Sequence, residues 1–285
     1  MKHTVLLLAS ALALSACEAS VSVEAETETE ASAENAKLDE VLAADIRADD
    51  TARDEFRNPA ETLAFFQVEP DHTVIEYAPG GGWYTRILAP YVADEGQYIG
   101  VGFGPEAAAS LGDEFVARVK AGAETFSQKQ SESTGIAAEK LPYYFTSALP
   151  EDINGTVDRV LIMRMMHNLK RWGVADAEAE GLFAALKPGG MLGVVQHRAK
   201  ADAPEDYVDG NKGYLKQAEL IEFFEGKGFE LVDTSEINAN PNDTADYESG
   251  VWTLPPSFAE GDEDREKYAA IGESDRMTLL FKKPA

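Results

Sequence analysis

A run of three glycines after an apolar strand is the part of the sequence best suited to contact a ligand. The segment from Val74 to Thr85 reads VIEYAPGGGWYT, with a predicted strand before the turn and a predicted helix after it. Gly80, Gly81 and Gly82 can adopt positive φ and let a ligand approach the backbone closely. The helix N-terminus adds unpaired N–H groups and a positive dipole end. These features indicate a cradle for the polar part of a cofactor, with a tight turn that binds nothing as the alternative.

Two of the four histidines follow predicted strands and could accept a proton. His167 comes after the fourth predicted strand and His197 after the fifth. In an open α/β sheet the carboxyl ends of the strands border the ligand crevice, and an imidazole titrates near neutral pH. We therefore expect at least one of the two to act in the site. The alternatives are backbone hydrogen bonds at the strand ends or a shared metal, but no metal-ligand spacing accompanies them and we predict no metal site.

The elements that must position these residues alternate between strands and helices. Strands are predicted over residues 73–77, 97–103, 143–145, 156–163, 191–196, 229–237 and 277–281. Helices are predicted over residues 38–56, 60–67, 84–92, 105–121, 175–186 and 215–227, whereas residues 122–140 are polar and poorly periodic. This alternation predicts an α/β fold in which helices cover both faces of a mostly parallel sheet.

The acidic composition limits the possible partners. The 285 residues include 25 Lys and Arg against 51 Asp and Glu, which gives a formal net charge of -26. A charge of this sign repels nucleic acid, anionic lipid surfaces and polyanionic substrates. We therefore expect a small-molecule substrate, no nucleic-acid partner, and contact with a membrane only through an anchor at the N-terminus.

The N-terminal residues resemble a bacterial lipoprotein signal peptide. A basic start precedes a short apolar run, and Leu14-Ser15-Ala16-Cys17 is similar to a lipobox. Cys17 is the only cysteine in the chain, and it stands where a lipid would be attached. The resemblance implies that residues 1–16 are removed and that Cys17 is lipidated. An ordinary secretory signal with an unrelated cysteine is the alternative.

The residues after Cys17 predict a tether and a place in the cell. Residues 17–37 are rich in Glu, Ala, Ser and Thr without an aromatic residue, which is typical of a flexible acidic tether before a domain over residues 38–285. Glu18 follows the cysteine in place of the Asp that retains lipoproteins in the inner membrane. We therefore expect a periplasm-facing lipoprotein of the bacterial cell envelope, in the outer rather than the inner membrane.

Several landmarks of the domain occur in the order found in class I S-adenosyl-L-methionine (SAM) dependent methyltransferases. The glycine segment resembles the first motif of that family, and Val157 to Leu161 is similar to its fourth strand. Leu186 to Leu192, which reads LKPGGML, resembles the turn into its fifth strand. The PGGGWYT form of the loop is similar to a group of exported methyltransferase-like proteins. The resemblance implies a Rossmann-like fold with a seven-stranded, mostly parallel sheet and a C-terminal antiparallel hairpin.

The resemblance also implies roles for individual residues. SAM would be the cofactor, and Glu76 would face the ammonium of its methionyl part. Gly80, Gly81 and Gly82 would let the loop pass close to that part. Apart from the resemblance, the positions of His167 and His197 after strands make either one a candidate base for the methyl acceptor, an unidentified small molecule.

The second strand departs from the pattern of the family. Gly102 stands where an acidic residue usually binds the ribose hydroxyls, and Ala78 replaces the usual first glycine of the loop. Loss of the carboxylate predicts weak binding of SAM, and it predicts that Gly102→Asp tightens binding. Glu106, one turn beyond, is a possible replacement for the missing carboxylate.

Two other functions stay open beside methyl transfer. The first is a binding module on the same fold that has lost catalysis, which the glycine at position 102 favours. The second is a nicotinamide-dependent oxidoreductase. That class needs the pattern G-x-G-x-x-G and a later acidic residue, and Thr85 and Gly102 occupy those positions.

A long segment interrupts the predicted closing hairpin. Residues 238–275 separate the last two predicted strands and contain several aromatic and proline residues. A loop of this length in a compact domain usually has a function or is disordered. We predict an ordered lid over the substrate pocket, with a packing role as the alternative.

Overall fold

The computed structural model describes residues 36–105 and 109–285, and in these residues seven strands form one sheet. The strands are β1 (Thr73–Tyr77), β2 (Gln97–Gly102), β3 (Tyr143–Phe145), β4 (Val157–Met163), β5 (Leu186–His197), β6 (Glu230–Ser235) and β7 (Arg276–Lys282). Their order across the sheet is β3-β2-β1-β4-β5-β7-β6. Strands β1 to β5 are parallel, while β7 is antiparallel to both β5 and β6. The predicted α/β, Rossmann-like sheet with a C-terminal antiparallel hairpin is confirmed.

Helices cover both faces of the sheet. They are α1 (residues 36–42), α2 (Asp54–Arg57), α3 (Pro59–Phe65), α4 (Thr85–Val92), α5 (Asp113–Thr134), α6 (Met166–Trp172), α7 (Ala175–Ala185), α8 (Gln217–Gly226) and α9 (Arg265–Ile271). Alternate side chains of β1 enter two different cores because a strand turns successive residues to opposite faces. Ile75 packs with residues of α6, α7 and α8, whereas Val74 packs with residues of α3, α4 and α5.

The helical prediction missed α6 and α9, and the helix predicted from residue 105 begins at Asp113. The stretch predicted as one helix over residues 38–56 is divided into α1, two short 3-10 turns at Asp45–Arg47 and Thr51–Arg53, and the start of α2. Helix α5 continues through residues 122–134, where the sequence shows little periodicity. That half of α5 buries Phe126, Gln130 and Thr134, which are four residues apart. Two of the three are polar, so a search for apolar spacing does not detect the buried stripe.

The carboxyl edge of the sheet is covered by two long connections. One connection, residues 198–216, runs from β5 to α8, and the other, residues 236–275, runs from β6 to β7 and contains α9. They share a small apolar core with each other, which contains Ala199, Val208, Tyr214, Ala245 and Val251. The segment predicted as a lid therefore packs against the connection from β5 to α8.

The predicted signal peptide, Cys17 and the tether up to residue 35 lie outside the described residues, as does Glu106. Within residues 36–105 and 109–285, no helix is long and apolar enough to cross a lipid bilayer.

Candidate active site

The glycine loop between β1 and α4 adopts positive φ at alternate residues. Ala78, Gly80 and Gly82 have φ values of 52°, 58° and 79°. Ala78 therefore adopts the left-handed conformation usually left to glycine. Gly81 has no positive φ, so a need for that conformation does not explain this glycine.

Gly80 and Gly82 lack side chains for different reasons. A Cβ atom on Gly82 would lie 2.5 Å from Oε1 of Gln130, so this glycine lets α5 pack against the loop. A Cβ atom on Gly80 would meet only the carbonyl oxygen of Ala78, at 3.9 Å. The space beside Gly80 is therefore left free by the protein, as a ligand cradle requires.

The carboxylate of Glu76 lies at the base of this loop and is almost completely buried, with 3% of the residue exposed. Its Oε2 accepts hydrogen bonds from Thr85 Oγ1 at 2.6 Å and from the Tyr98 hydroxyl at 2.7 Å. Burial raises the pKa of Glu76 to about 7, although both hydrogen bonds act in the opposite direction. Oε1 accepts no hydrogen bond from the described residues. A cation near Oε1 would therefore favour the ionised carboxylate.

A cavity of about 560 Å³ opens between this loop, the ends of β4 and β5, and the segment over residues 236–275. Of the predicted site residues, Glu76, Gly80, Gly81, His167 and His197 line it. Gly82 and Gly102 do not line it. The remaining lining residues are Asp50, Arg53, Arg57, Ala78, Pro79, Trp83, Tyr84, Arg86, Met163, Arg164, Met165, Asn168, Val251 and Trp252.

The two histidines lie side by side in this cavity, with ring centroids 5.6 Å apart. Nδ1 of His197 lies 2.6 Å from Oγ of Ser274. Nδ1 of His167 lies 3.3 Å from Nε2 of Gln196, a donor that also bonds the carbonyl of Gly213 at 2.8 Å. Nδ1 of His167 is closer to the donor Nε2 of Gln196, at 3.3 Å, than to the acceptor Oε1, at 3.5 Å, which favours a ring proton on Nε2, whereas Ser274 can accept a proton from Nδ1 of His197. His197 is therefore the better candidate for a lone pair on Nε2 that faces the cavity.

Burial keeps both imidazoles neutral at neutral pH. It lowers the pKa of His167 to about 4, and it lowers the pKa of His197 well below its ordinary value, with further contributions from His167 and Arg276. A neutral imidazole can accept a proton, but its low pKa makes it a weak base. A negative charge in the cavity would raise both pKa values and strengthen the base.

Arginine side chains near the cavity form a feature that the sequence analysis did not detect. Arg53, Arg57 and Arg276 surround the buried carboxylate of Glu273, and Arg164 lies at the end of β4. These residues are far apart in the chain, and only Arg53 and Arg57 have the four-residue spacing of one helix face. No local pattern connects them, because the fold alone brings them together.

A second cavity of about 300 Å³ meets the first at the glycine loop. Both are lined by Ala78, Pro79, Gly80 and Met165. The second cavity is mostly apolar, and its other lining residues are Phe103, Arg118, Val119, Gly122, Ala123, Phe126 and Tyr143.

Tyr143 explains the absence of a side chain at position 102. A Cβ atom on Gly102 would overlap the Tyr143 hydroxyl oxygen, and one on Gly100 would lie 3.0 Å from Cδ2 of the same ring. Gly100 and Gly102 are on the same face of β2, where they make room for the Tyr143 ring. In Gly102→Asp the new side chain would have to displace the Tyr143 hydroxyl, so the expected tightening of binding requires this ring to move.

Among the residues that the structure describes, no three His, Cys, Asp or Glu side chains are close enough together to hold a metal ion.

Comparison with known proteins identifies the fold. No protein-family model and no curated protein matches the chain. A SAM dependent methyltransferase from Aquifex aeolicus is 14% identical with a TM-score of 0.52, over 83% of this chain and 95% of that one. Geranyl diphosphate methyltransferase in complex with SAM is 14% identical with a TM-score of 0.53, over 85% of this chain and 94% of that one. The chain thus has the fold of SAM-dependent methyltransferases, and at these identities the likeness concerns the fold.

Proposed function

We propose that the protein is a SAM-dependent methyltransferase that acts on a small molecule. The observation that carries the proposal is the space beside Gly80, next to the free Oε1 of Glu76, at the point where the two cavities meet. In parallel α/β sheets this position, at the carboxyl end of β1, is where nucleotide ligands bind.

The residues present fit the cofactor on both sides of the loop. Glu76 would hold the ammonium group, and the backbone at Gly80 and Gly81 would lie against the methionyl chain. The apolar cavity would hold the adenosine, with the Tyr143 hydroxyl as the polar group nearest the missing carboxylate at Gly102. When bound, SAM supplies an activated methyl group.

The protein's own contribution would be alignment, exclusion of water and proton transfer. Trp83 and Trp252 border the charged cavity and reduce its contact with solvent. Nε2 of His197 would accept the proton that a hydroxyl or amine acceptor loses. His167, 5.6 Å away between ring centroids, would contact the acceptor and help to keep His197 neutral beforehand.

Calorimetric titration of the full-length protein with S-adenosylhomocysteine tests the proposal. We expect binding in the native protein and a loss of affinity of at least about a hundredfold in Gly80→Val, because the side chain fills the free space. Gly155→Val is the matched control, since Gly155 also has positive φ, 72°, and open space around it but does not line either cavity. Equal affinities in folded Gly80→Val and Gly155→Val would reject the cradle.

A non-catalytic binding module is the second candidate, and the packing of Tyr143 against Gly102 favours it. That packing removes the usual ribose carboxylate and could serve a different ligand. Binding of S-adenosylhomocysteine without transfer of a labelled methyl group to any small molecule of the cell envelope would favour the module. Binding of NAD in its place would instead support the oxidoreductase.

We also propose that the protein is attached to the bacterial envelope through Cys17 and faces the periplasm, more specifically at the outer membrane. The support is the lipobox-like sequence and the single cysteine at its end. Cys17→Ser should give either an unprocessed precursor or a form that fractionates without the membrane. Ala16→Gly, which keeps a small residue before the cysteine, is the control. Normal processing and membrane retention of Cys17→Ser would contradict the lipid anchor.

A further inference from the structure

The charge around the large cavity is opposite in sign to that of the whole chain. The formal net charge is -26, yet four guanidinium groups, those of Arg53, Arg57, Arg164 and Arg276, lie at or beside one end of the cavity. Folding places these groups together, because they come from α2, its preceding turn, the residue after β4, and β7.

Glu273 is the carboxylate that three of them share. Its Oε1 bonds Nε of Arg53 at 2.5 Å, and its Oε2 lies 3.4 Å from Nε of Arg57 and also bonds Arg276. Burial opposes ionisation of Glu273, but Arg276, Arg57 and Arg53 lower its pKa to about 2. Both carboxylate oxygens are therefore engaged, and one negative charge cannot balance the cluster.

Arg164 differs from the other arginines of the cavity because it has no ion pair with a described residue. Arg86, in the same cavity, is held by Asp50 through two hydrogen bonds of 2.5 Å and 2.8 Å. Arg164 lies one residue beyond β4 with φ at 56°, which is uncommon for a residue with a long side chain. Glu76 and Glu273 attract Arg164 only from beyond ion-pair distance, so its guanidinium group is left to pair directly with a ligand in the cavity.

The position of Arg164 relates it to the candidate base. Arg164 is three residues before His167, and both line the cavity together with Arg57 and His197. Arg57 is 3% exposed and stacks over the Trp83 ring at 4.5 Å, which fixes its guanidinium group. An anion bound between Arg57 and Arg164 would therefore lie beside the two imidazoles.

We propose that the methyl acceptor is a small anion whose carboxylate or phosphate group binds Arg164 and Arg57. Guanidinium groups bind both anions through paired, charge-assisted hydrogen bonds. The overall acidity of the protein still disfavours polyanions, while one or two negative charges fit a local cluster of this kind. The identification of this anion as the acceptor rests on the proposed function; the anion site itself does not.

Titration of the full-length protein with inorganic phosphate and with succinate, at constant ionic strength, tests the site. We expect both to bind, and Arg164→Gln to weaken the binding by about tenfold or more. Arg265→Gln is the matched control, because Arg265 is an exposed arginine of α9 that does not line the cavity. If Arg164→Gln does not fold, Arg164→Lys keeps the charge without the planar fork and should weaken binding several-fold.

Repeating the titration with saturating S-adenosylhomocysteine distinguishes the existence of the anion site from its assignment to the methyl acceptor. If the anion is the acceptor's, phosphate binds in the presence of S-adenosylhomocysteine as well. If S-adenosylhomocysteine displaces phosphate, the arginines bind the carboxylate of that ligand and the acceptor assignment is overturned. If S-adenosylhomocysteine does not bind while phosphate depends on Arg164, the anion site stands and the proposed methyltransferase function fails. Absence of anion binding, or equal binding by Arg164→Gln and Arg265→Gln, would overturn the site.

Discussion

The two cavities that meet at the glycine loop differ in the groups they offer to a ligand. The smaller one is lined mainly by Phe103, Phe126 and Tyr143 and contains a single charged residue, Arg118. The larger one combines a buried carboxylate, two neutral imidazoles and several guanidinium groups. A ligand that crosses the loop would therefore need an apolar end and a charged end, which is the character of SAM.

The order of the strands explains why the division falls at this loop. In the sheet, β1 lies between β2 and β4. The chain continues from β1 to β2 and β3 on one side of β1, and then returns to β4 and β5 on the other side. The crevice at such a switch point is bordered on one side by the ends of β2 and β3, and on the other by those of β4 and β5. The apolar residues come from the first side, and the histidines and Arg164 come from the second.

The largest expected effect concerns two titratable residues of the larger cavity, Glu76 and His167, and the dependence of the free energy of unfolding on pH. Glu76 has a pKa raised to about 7 by burial, so it contributes stability below its unfolded pKa that is lost as pH rises through 7. His167 has a pKa lowered to about 4 by burial, so it contributes stability above its unfolded pKa that is lost as pH falls toward 4. Each contribution amounts to about 3 kcal/mol.

Urea denaturation of the native protein, Glu76→Gln and His167→Gln between pH 4 and pH 8 measures these contributions. Relative to the native protein, Glu76→Gln should gain about 3 kcal/mol between pH 4.5 and 7.5, and His167→Gln should lose a similar amount between pH 4 and 7. Differences between proteins cancel the contributions of all other groups. Stability curves that run parallel across this range would show that neither group has the shifted pKa.

The sequence predicted the strands and the glycine loop more completely than the charged residues of the larger cavity. The strand–glycine–helix pattern placed Glu76 and the loop, and the positions of His167 and His197 after strands placed them at the same edge. Arg53, Arg57, Arg164 and Glu273 gave no signal, because only the fold brings Glu273 to Arg53 and Arg57 and places Arg164 in the cavity that these arginines line. Gly102 was recognised as unusual, but its cause, the Tyr143 ring on the neighbouring strand, is visible only in three dimensions.

The second prediction asks which imidazole is the base. His197→Asn should reduce turnover by about a hundredfold or more on an acceptor found by incorporation of labelled methyl groups, because a proton donated from Nδ1 to Ser274 leaves a lone pair on Nε2 of His197. His167→Asn should have a smaller effect, since its Nδ1 accepts from Gln196. His72→Asn is the control; Nδ1 of His72 accepts a hydrogen bond from the backbone N–H of Glu69 at 3.0 Å, outside both cavities.

The affinity for S-adenosylhomocysteine should change little in all three histidine variants. If His197→Asn and His167→Asn both retain full turnover, the histidines are structural and proton transfer occurs elsewhere or is not required. If only His167→Asn loses turnover, His167 is the base.

The third prediction concerns the packing on the apolar side. Gly102→Ala should destabilise the protein by about 2 kcal/mol, because its Cβ overlaps the Tyr143 hydroxyl. The double variant Gly102→Ala/Tyr143→Phe should recover most of this loss, since it removes the oxygen atom that collides. A double variant no more stable than Gly102→Ala would show that the glycine is needed for another reason. Thermal unfolding monitored by circular dichroism measures all three proteins.

The smallest expected effect is on the affinity for S-adenosylhomocysteine when the Tyr143 hydroxyl, the group nearest the missing carboxylate at Gly102, is removed. Burial raises the pKa of Tyr143 to about 12, so its hydroxyl is protonated at neutral pH and can donate a hydrogen bond. It makes no hydrogen bond with the described residues at the end of β2, where the family usually places a carboxylate. Tyr143→Phe should therefore weaken binding of S-adenosylhomocysteine by about three- to tenfold, the contribution of one neutral hydrogen bond. Tyr144→Phe is the control from the same strand, because adjacent residues of β3 point to opposite faces. A calorimetric affinity unchanged in Tyr143→Phe would mean that the smaller cavity binds its ligand by apolar packing alone. Polar and charged contacts with the ligand would then come only from the larger cavity.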